Sequence, residues 1–197
     1  MKRFNASLFC LGLILTVGAL PLRAQKAVPQ AASRAIYGKT VAHVYTNSVL
    51  GLRFSLPAAL AIQEPHYVDV SLMTTVPGSM FRAKPLNVKS LLAGSIFPVQ
   101  FILTAAKLPP QLATVTGEQI LNDPIFRTAN GPRAKVESLG NKTFAYVDGT
   151  TRFADNRSYA IVQRGYYLSI VIMYKSKGDL DVLRGVLANA DFDWKGN

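Results

Sequence analysis

The stretch VESLGNKTFAYVDGTTRFADNRSYAIVQRGYYLSIVIMY (Val136–Tyr174) decides how this chain folds. Five runs rich in β-branched and aromatic residues lie in it: Val136–Leu139, Thr143–Val147, Thr150–Ala154, Ser158–Gln163 and Tyr166–Tyr174. Between them stand Gly140-Asn141, Asp148-Gly149, Asp155-Asn156 and Arg164-Gly165. Gly, Asn and Asp tolerate the left-handed backbone that tight hairpin connections need. The segment therefore reads as consecutive antiparallel strands, with Asp148-Gly149 either a hairpin turn or a bulge in one longer strand.

Downstream the period changes. Leu180, Leu183, Val186 and Leu187 recur at helical spacing after a start signal at Ser176–Asp179, and Asp179 and Asp181 suit the positive end of a helix dipole. A helix over about Asp179–Asn189 is predicted, its stripe covered by the sheet, followed by Asp191–Trp194 as a short segment able to add to that same sheet. Upstream, Tyr45–Gly51 and Leu52–Leu56 flank a turn at Asn47-Ser48, Pro57 ends that strand, and Val68, Val70 and Leu72 alternate with polar residues. Pro77–Ser95 reads as irregular, with one short helix around Val88–Ala93, and Phe97–Ala105 as a strand closed by Pro109-Pro110. Thr116-Gly117-Glu118-Gln119 has the form of a capping box opening a short helix. The fold class that follows is α+β: a central, mostly antiparallel sheet with helices packed on it.

Residues YTNSVLGLRFSLP (Tyr45–Pro57), the meander ending in YYLSIVIMY (Tyr166–Tyr174), and a following helix closed by the aromatic Phe192 resemble PsbP-like and DcrB-like exported domains. The resemblance runs over roughly residues 41–194 and implies a PsbP-like sheet between helices, with an accessory or assembly role. It carries no catalytic signature, so no functional residue transfers. Ala58, Ala59 and Leu60 stand where that family usually has an aromatic.

At the other end, Lys2 and Arg3 precede a charge-free run from Ala6 to Leu20, then Pro21 and the small Ala24. That layout is a secretory signal peptide over residues 1–24, the alternative being an uncleaved N-terminal anchor. The run is shorter than the ~20 residues that span a bilayer. Cys10, the chain's only cysteine, lies within it, so the mature chain would have neither thiol chemistry nor disulfides, and no transmembrane helix. Residues 25–40, rich in Ala and Gln around Pro29, read as a flexible linker, and residues 41–197 as one α+β domain.

The chain has 197 residues, 22 Lys and Arg against 11 Asp and Glu, and net charge +11. With 49% hydrophobic residues it is too apolar for a disordered chain. Two His and one Cys exclude a finger-type zinc site. No phosphate-cradling glycine motif and no G-x-S-x-G motif occurs, so no cofactor is implied. His43 and His66 read as surface or hydrogen-bonded residues, the pairs Asp179/Asp181 and Asp191/Asp193 as too sparse for calcium, and the tyrosines as sheet packing. Asn141-Lys142-Thr143 and Asn156-Arg157-Ser158 match the glycosylation sequon but read as turns. From Val70 to Gly117 no acid occurs, while Arg82, Lys84, Lys89 and Lys107 do, making these four the candidates for a polyanion or anionic-membrane surface. The charge is too spread for a nucleic-acid binder. The expectation is a non-catalytic, periplasmic or extracellular accessory protein that binds an envelope protein or anionic surface. The alternatives are an exported hydrolase-like enzyme with a scattered site, and a membrane-surface or polyanion adapter.

Overall fold

The computed structural model describes residues 35–63, 69–72, 77–81, 86–127 and 131–196. Residues 1–24, read above as a signal peptide, and residues 25–34 of the expected linker lie outside the described residues. Two antiparallel sheets form the body. The smaller has order β1-β2-β3, from β1 (Lys39–Val41), β2 (Val44–Asn47) and β3 (Leu52–Ser55). The larger comprises β4 (Ala61–Gln63), β5 (Asp69–Leu72), β6 (Leu86–Ile96), β7 (Val99–Lys107), β8 (Lys135–Leu139), β9 (Lys142–Thr150), β10 (Asp155–Gln163) and β11 (Tyr166–Tyr174). Its order is β4-β6-β7-β11-β10-β9-β8, with β5 also paired to β6.

The meander over 136–174 forms as the turn chemistry requires. Arg164 and Gly165, both at positive φ, make the two-residue connection of the β10–β11 hairpin. Two details differ. β9 runs straight through Asp148-Gly149 to Thr150, and β10 already begins at Asp155, so Asn156 is a strand residue. Thr150–Ala154 is consequently not a strand: the Thr151 hydroxyl accepts from the amides of Phe153 and Ala154 at 3.2 and 3.1 Å and closes a turn there.

Both sheet faces are covered. On one, α2 (Lys177–Ala188) buries Leu180, Leu183, Val186 and Leu187 in a core that includes Phe101, Leu103, Tyr159, Leu168, Ile170 and Ile172, together with the small sheet and Phe192. Ser176 and Asp179 cap this helix reciprocally. On the other face, α1 (Gly117–Leu121), opened by the capping box of Thr116 and Gln119, packs Ile120 and Leu121 over Ala106, Ala145 and Ala160. Small residues let the helix sit close: a Cβ at Gly117 would lie 2.4 Å from the Ala160 carbonyl oxygen.

Three expectations need correction. The irregular reading of Pro77–Ser95 holds for residues 77–81, which are turns, but not for 86–95: β6 occupies Leu86–Ile96, where the sequence predicts a helix at Val88–Ala93. Its register with β7 shifts between Ser90 and Leu92, which turns both Leu91 and Leu92 into the core. That bulge breaks the period of two that marks a strand in sequence. Residues 35–40, expected to belong to a flexible linker, are structured. Ala35–Tyr37 is a 3-10 turn with Ile36 and Tyr37 buried, and β1 starts at Lys39. Asn47 supplies the reason. Fully buried, it donates to the Ile36 carbonyl at 2.7 Å and to the Tyr45 hydroxyl at 2.9 Å, and that hydroxyl donates to the Tyr37 carbonyl at 3.0 Å. The Tyr45-x-Asn47 pair thus ties the preceding chain down. Finally, the terminal segment joins the small sheet, not the large one, through reciprocal Arg53–Asp191 backbone bonds of 2.8 Å.

Candidate functional site

Of the four cationic candidates, Arg82 and Lys84 lie outside the described residues. Lys89 stands over the Tyr37 ring, 5.7 Å from its centroid, and Lys107 is exposed at the end of β7. Lys89 pairs in register with Ala105, so the period of two puts Lys89 and Lys107 on the same face of neighbouring strands. His66 also lies outside the described residues. His43 sits in the β1–β2 turn, its Nδ1 buried without a hydrogen-bond partner. Asp179 caps α2, Asp181 accepts from Arg184, Asp191 caps the Asp193 amide, and Asp193 pairs with Lys142 at 3.5 Å. Among the described residues no group of three or more His, Cys, Asp or Glu is placed to hold a metal ion.

The densest polar cluster was not legible in the sequence, because three strands and a helix contribute to it. Glu137 on β8 is only 16% exposed. Its Oε1 accepts from the Tyr159 hydroxyl at 2.5 Å and from Arg157 Nη1 at 3.2 Å, and its Oε2 accepts from Arg184 Nη2 at 2.5 Å. Arg157 also grips Asp148 with Nε and Nη2, at 2.6 and 3.1 Å, and lies over the Tyr146 ring. Burial works against ionisation of Glu137, but the bonds from Tyr159 and Arg184 and the two guanidinium charges outweigh it and hold its carboxyl below the usual carboxylate range. Burial, reinforced by Glu137, pushes the Tyr159 hydroxyl well above its ordinary value. A carboxylate saturated by three donors has no basicity to spare for proton transfer. Chemically the cluster is a clamp between α2 and the sheet.

An open depression of about 550 Å³ beside α1 is lined by Gly78, Met80, Glu118, Asn122 and Asp123. Two of its polar side chains are already committed. The Asp123 carboxylate accepts from the amides of Met80 and Ile125, at 2.7 and 3.0 Å, and Asn122 from that of Ala134 at 3.1 Å.

One exposed feature is apolar. Phe97, in the β6–β7 turn, is 75% exposed, Phe153, in the β9–β10 turn, is 53%, and Ile96 is 54%. The two rings meet edge to face, centroids 6.2 Å apart, and the Arg152 guanidinium lies 4.2 Å from the Phe153 centroid. The strand order makes this possible, since the first turn joins β6 to β7 and the second joins β9 to β10, with only β11 between. One signal was available in the sequence: turns favour Gly, Pro, Asn, Asp and Ser, yet a Phe stands in each of these two, Phe97 beside Pro98 and Phe153.

No family model, curated protein or solved structure matches the chain. Among the described residues no helix is long and apolar enough to cross a membrane.

Proposed function

We propose that this chain is an exported accessory protein, of PsbP-like architecture, that binds a component of the cell envelope and does no chemistry on it. The observation that carries the reading is the pairing of Phe97 with Phe153 at the surface. Two large rings held in water against each other are a binding feature, since folding alone would have buried them. The charged groups of Glu137, Arg157 and Asp148, by contrast, satisfy one another. The hydrophobic run at Ala6–Leu20 and the resemblance of residues 45–57 and 166–174 to exported domains support the location.

The test is a photoreactive amino acid at position 97 in the native host, followed by cell fractionation. The reading expects adducts in the envelope fraction, absent when the probe replaces Val182, exposed on α2. A cytoplasmic location, or reproducible turnover of an envelope substrate by the purified protein, would overturn it.

A further inference from the structure

The rings do not stand alone at their end of the sheet. β11 lies between β7 and β10, and its last residue, Tyr174, pairs with Asp155 beside the Phe153 turn. The chain leaving β11 therefore carries the exposed Lys175 and Lys177 between the two aromatic turns. With Arg152 they give this end three cations. Two carboxylates lie nearby and offset part of that charge, leaving the cations in excess: Asp155 accepts from the Thr150 hydroxyl at 2.9 Å, and Asp179 from the amides of Lys175 and Ser176 at 3.2 and 2.9 Å. Asp148 is held by Arg157.

Shape narrows the kind of partner. A stable protein interface needs about 800 Å² of well-packed surface on each side. Here the apolar material is a small exposed wedge of three side chains, Ile96 at the end of β6 and Phe97 and Phe153 in the two turns. A bilayer accepts such a wedge because headgroups and acyl chains rearrange around it, and aromatic rings favour the interfacial layer. Basic side chains around the wedge meet lipid phosphates while their stems stay with the apolar layer. Arg152 over the Phe153 ring has this arrangement already.

Resting on the envelope-binding reading above, we propose that this end of the large sheet docks on an anionic lipid bilayer. Ile96, Phe97 and Phe153 enter the boundary between headgroups and acyl chains, and Arg152, Lys175 and Lys177 contact the lipid phosphates. The surface lies at the opposite end of β7 from Lys107 and from Ala105, the partner of Lys89, so it is distinct from those two cations.

Flotation of the full chain, as the cell processes it, with phosphatidylcholine vesicles with and without about one-third phosphatidylglycerol tests this. The wild type should float with the anionic vesicles, and its binding should fall several-fold between roughly 0.05 and 0.5 M salt. The variant Phe97→Ser/Phe153→Ser, checked for an unchanged unfolding midpoint, should bind about tenfold more weakly or worse, because each ring removes apolar surface from water on docking. Arg152→Gln/Lys175→Gln/Lys177→Gln should lose the preference for anionic vesicles. Equal binding of the wild type and the ring variant, which an uncleaved N-terminal anchor would produce, overturns the proposal. So does failure of the wild type to bind anionic vesicles at low salt. If that failure accompanies a protein adduct from position 97 in the envelope fraction, the lipid docking is wrong while envelope binding stands.

Discussion

The guanidinium of Arg164 occupies the space where Gly51 would carry a side chain. A Cβ at Gly51 would lie 2.4 Å from Arg164 Cζ, and Gly51 has φ +67°. Arg164 also donates to the Ser48 carbonyl at 2.9 Å. The turn of the β10–β11 hairpin is thereby latched onto the loop that ends the Tyr45–Gly51 segment, so one glycine serves both a left-handed turn and a long-range contact.

Gly51→Ala should destabilise the fold by about 1–2 kcal/mol, mainly through the backbone, since an arginine tip can move aside but a left-handed φ cannot be relieved. Urea denaturation of Gly51→Ala, Arg164→Ala and the double variant separates the two effects. A loss that vanishes in the Arg164→Ala background would place it in the contact instead.

Leu187→Ala should lose about 2–5 kcal/mol, because Leu187 is fully buried between α2 and the sheet. Val182, on the exposed side of the same helix, provides the comparison: Val182→Ala should stay within about 0.5 kcal/mol. A change at Leu187 no larger than that at Val182 would mean that α2 is not packed on the sheet through Leu187, since propensity alone favours Ala at both positions.

Glu137 makes stability depend on acid. Its folded pKa lies below the unfolded one, so its contribution is fully present above the ordinary carboxylate pKa and is lost as pH falls through the folded value. Glu137→Gln should cost roughly 2 kcal/mol near neutral pH, leaving Arg184 without its buried acceptor. The gap between wild type and variant should close as pH falls below about 4. A gap that does not change with pH would show that the carboxylate charge contributes nothing. Asp179, held low by its bonds to Ser176, titrates in the same direction in both proteins and cancels from the comparison.

The β1–β2 hairpin offers a gain. Ala42 and His43, at φ 45° and 63°, form its two-residue turn, a geometry that suits Asn-Gly, and His43 Nδ1 is buried without a partner. Ala42→Asn/His43→Gly should stabilise the protein by about 1 kcal/mol, read as a raised thermal midpoint. A lowered midpoint would show that the His43 ring contributes packing worth more than its strain.

Local features were readable in the chain because each is encoded within about ten residues. The β8–β11 meander follows from alternation and turn chemistry, both helix starts from reciprocal caps, and the buried stripe of α2 from its period. Tertiary structure decided what depends on distant partners. The bulge that buries both Leu91 and Leu92 needs the register of β7, and the burial of Ile36 and Tyr37 needs Asn47. The Glu137 clamp draws on β8, β9, β10 and α2 at once. The aromatic end likewise has no local signature, for Phe97 and Phe153 are 56 residues apart and meet only because β11 inserts between β7 and β10. Periodicity records which face a side chain takes, but only the pairing of strands sets which turns become neighbours.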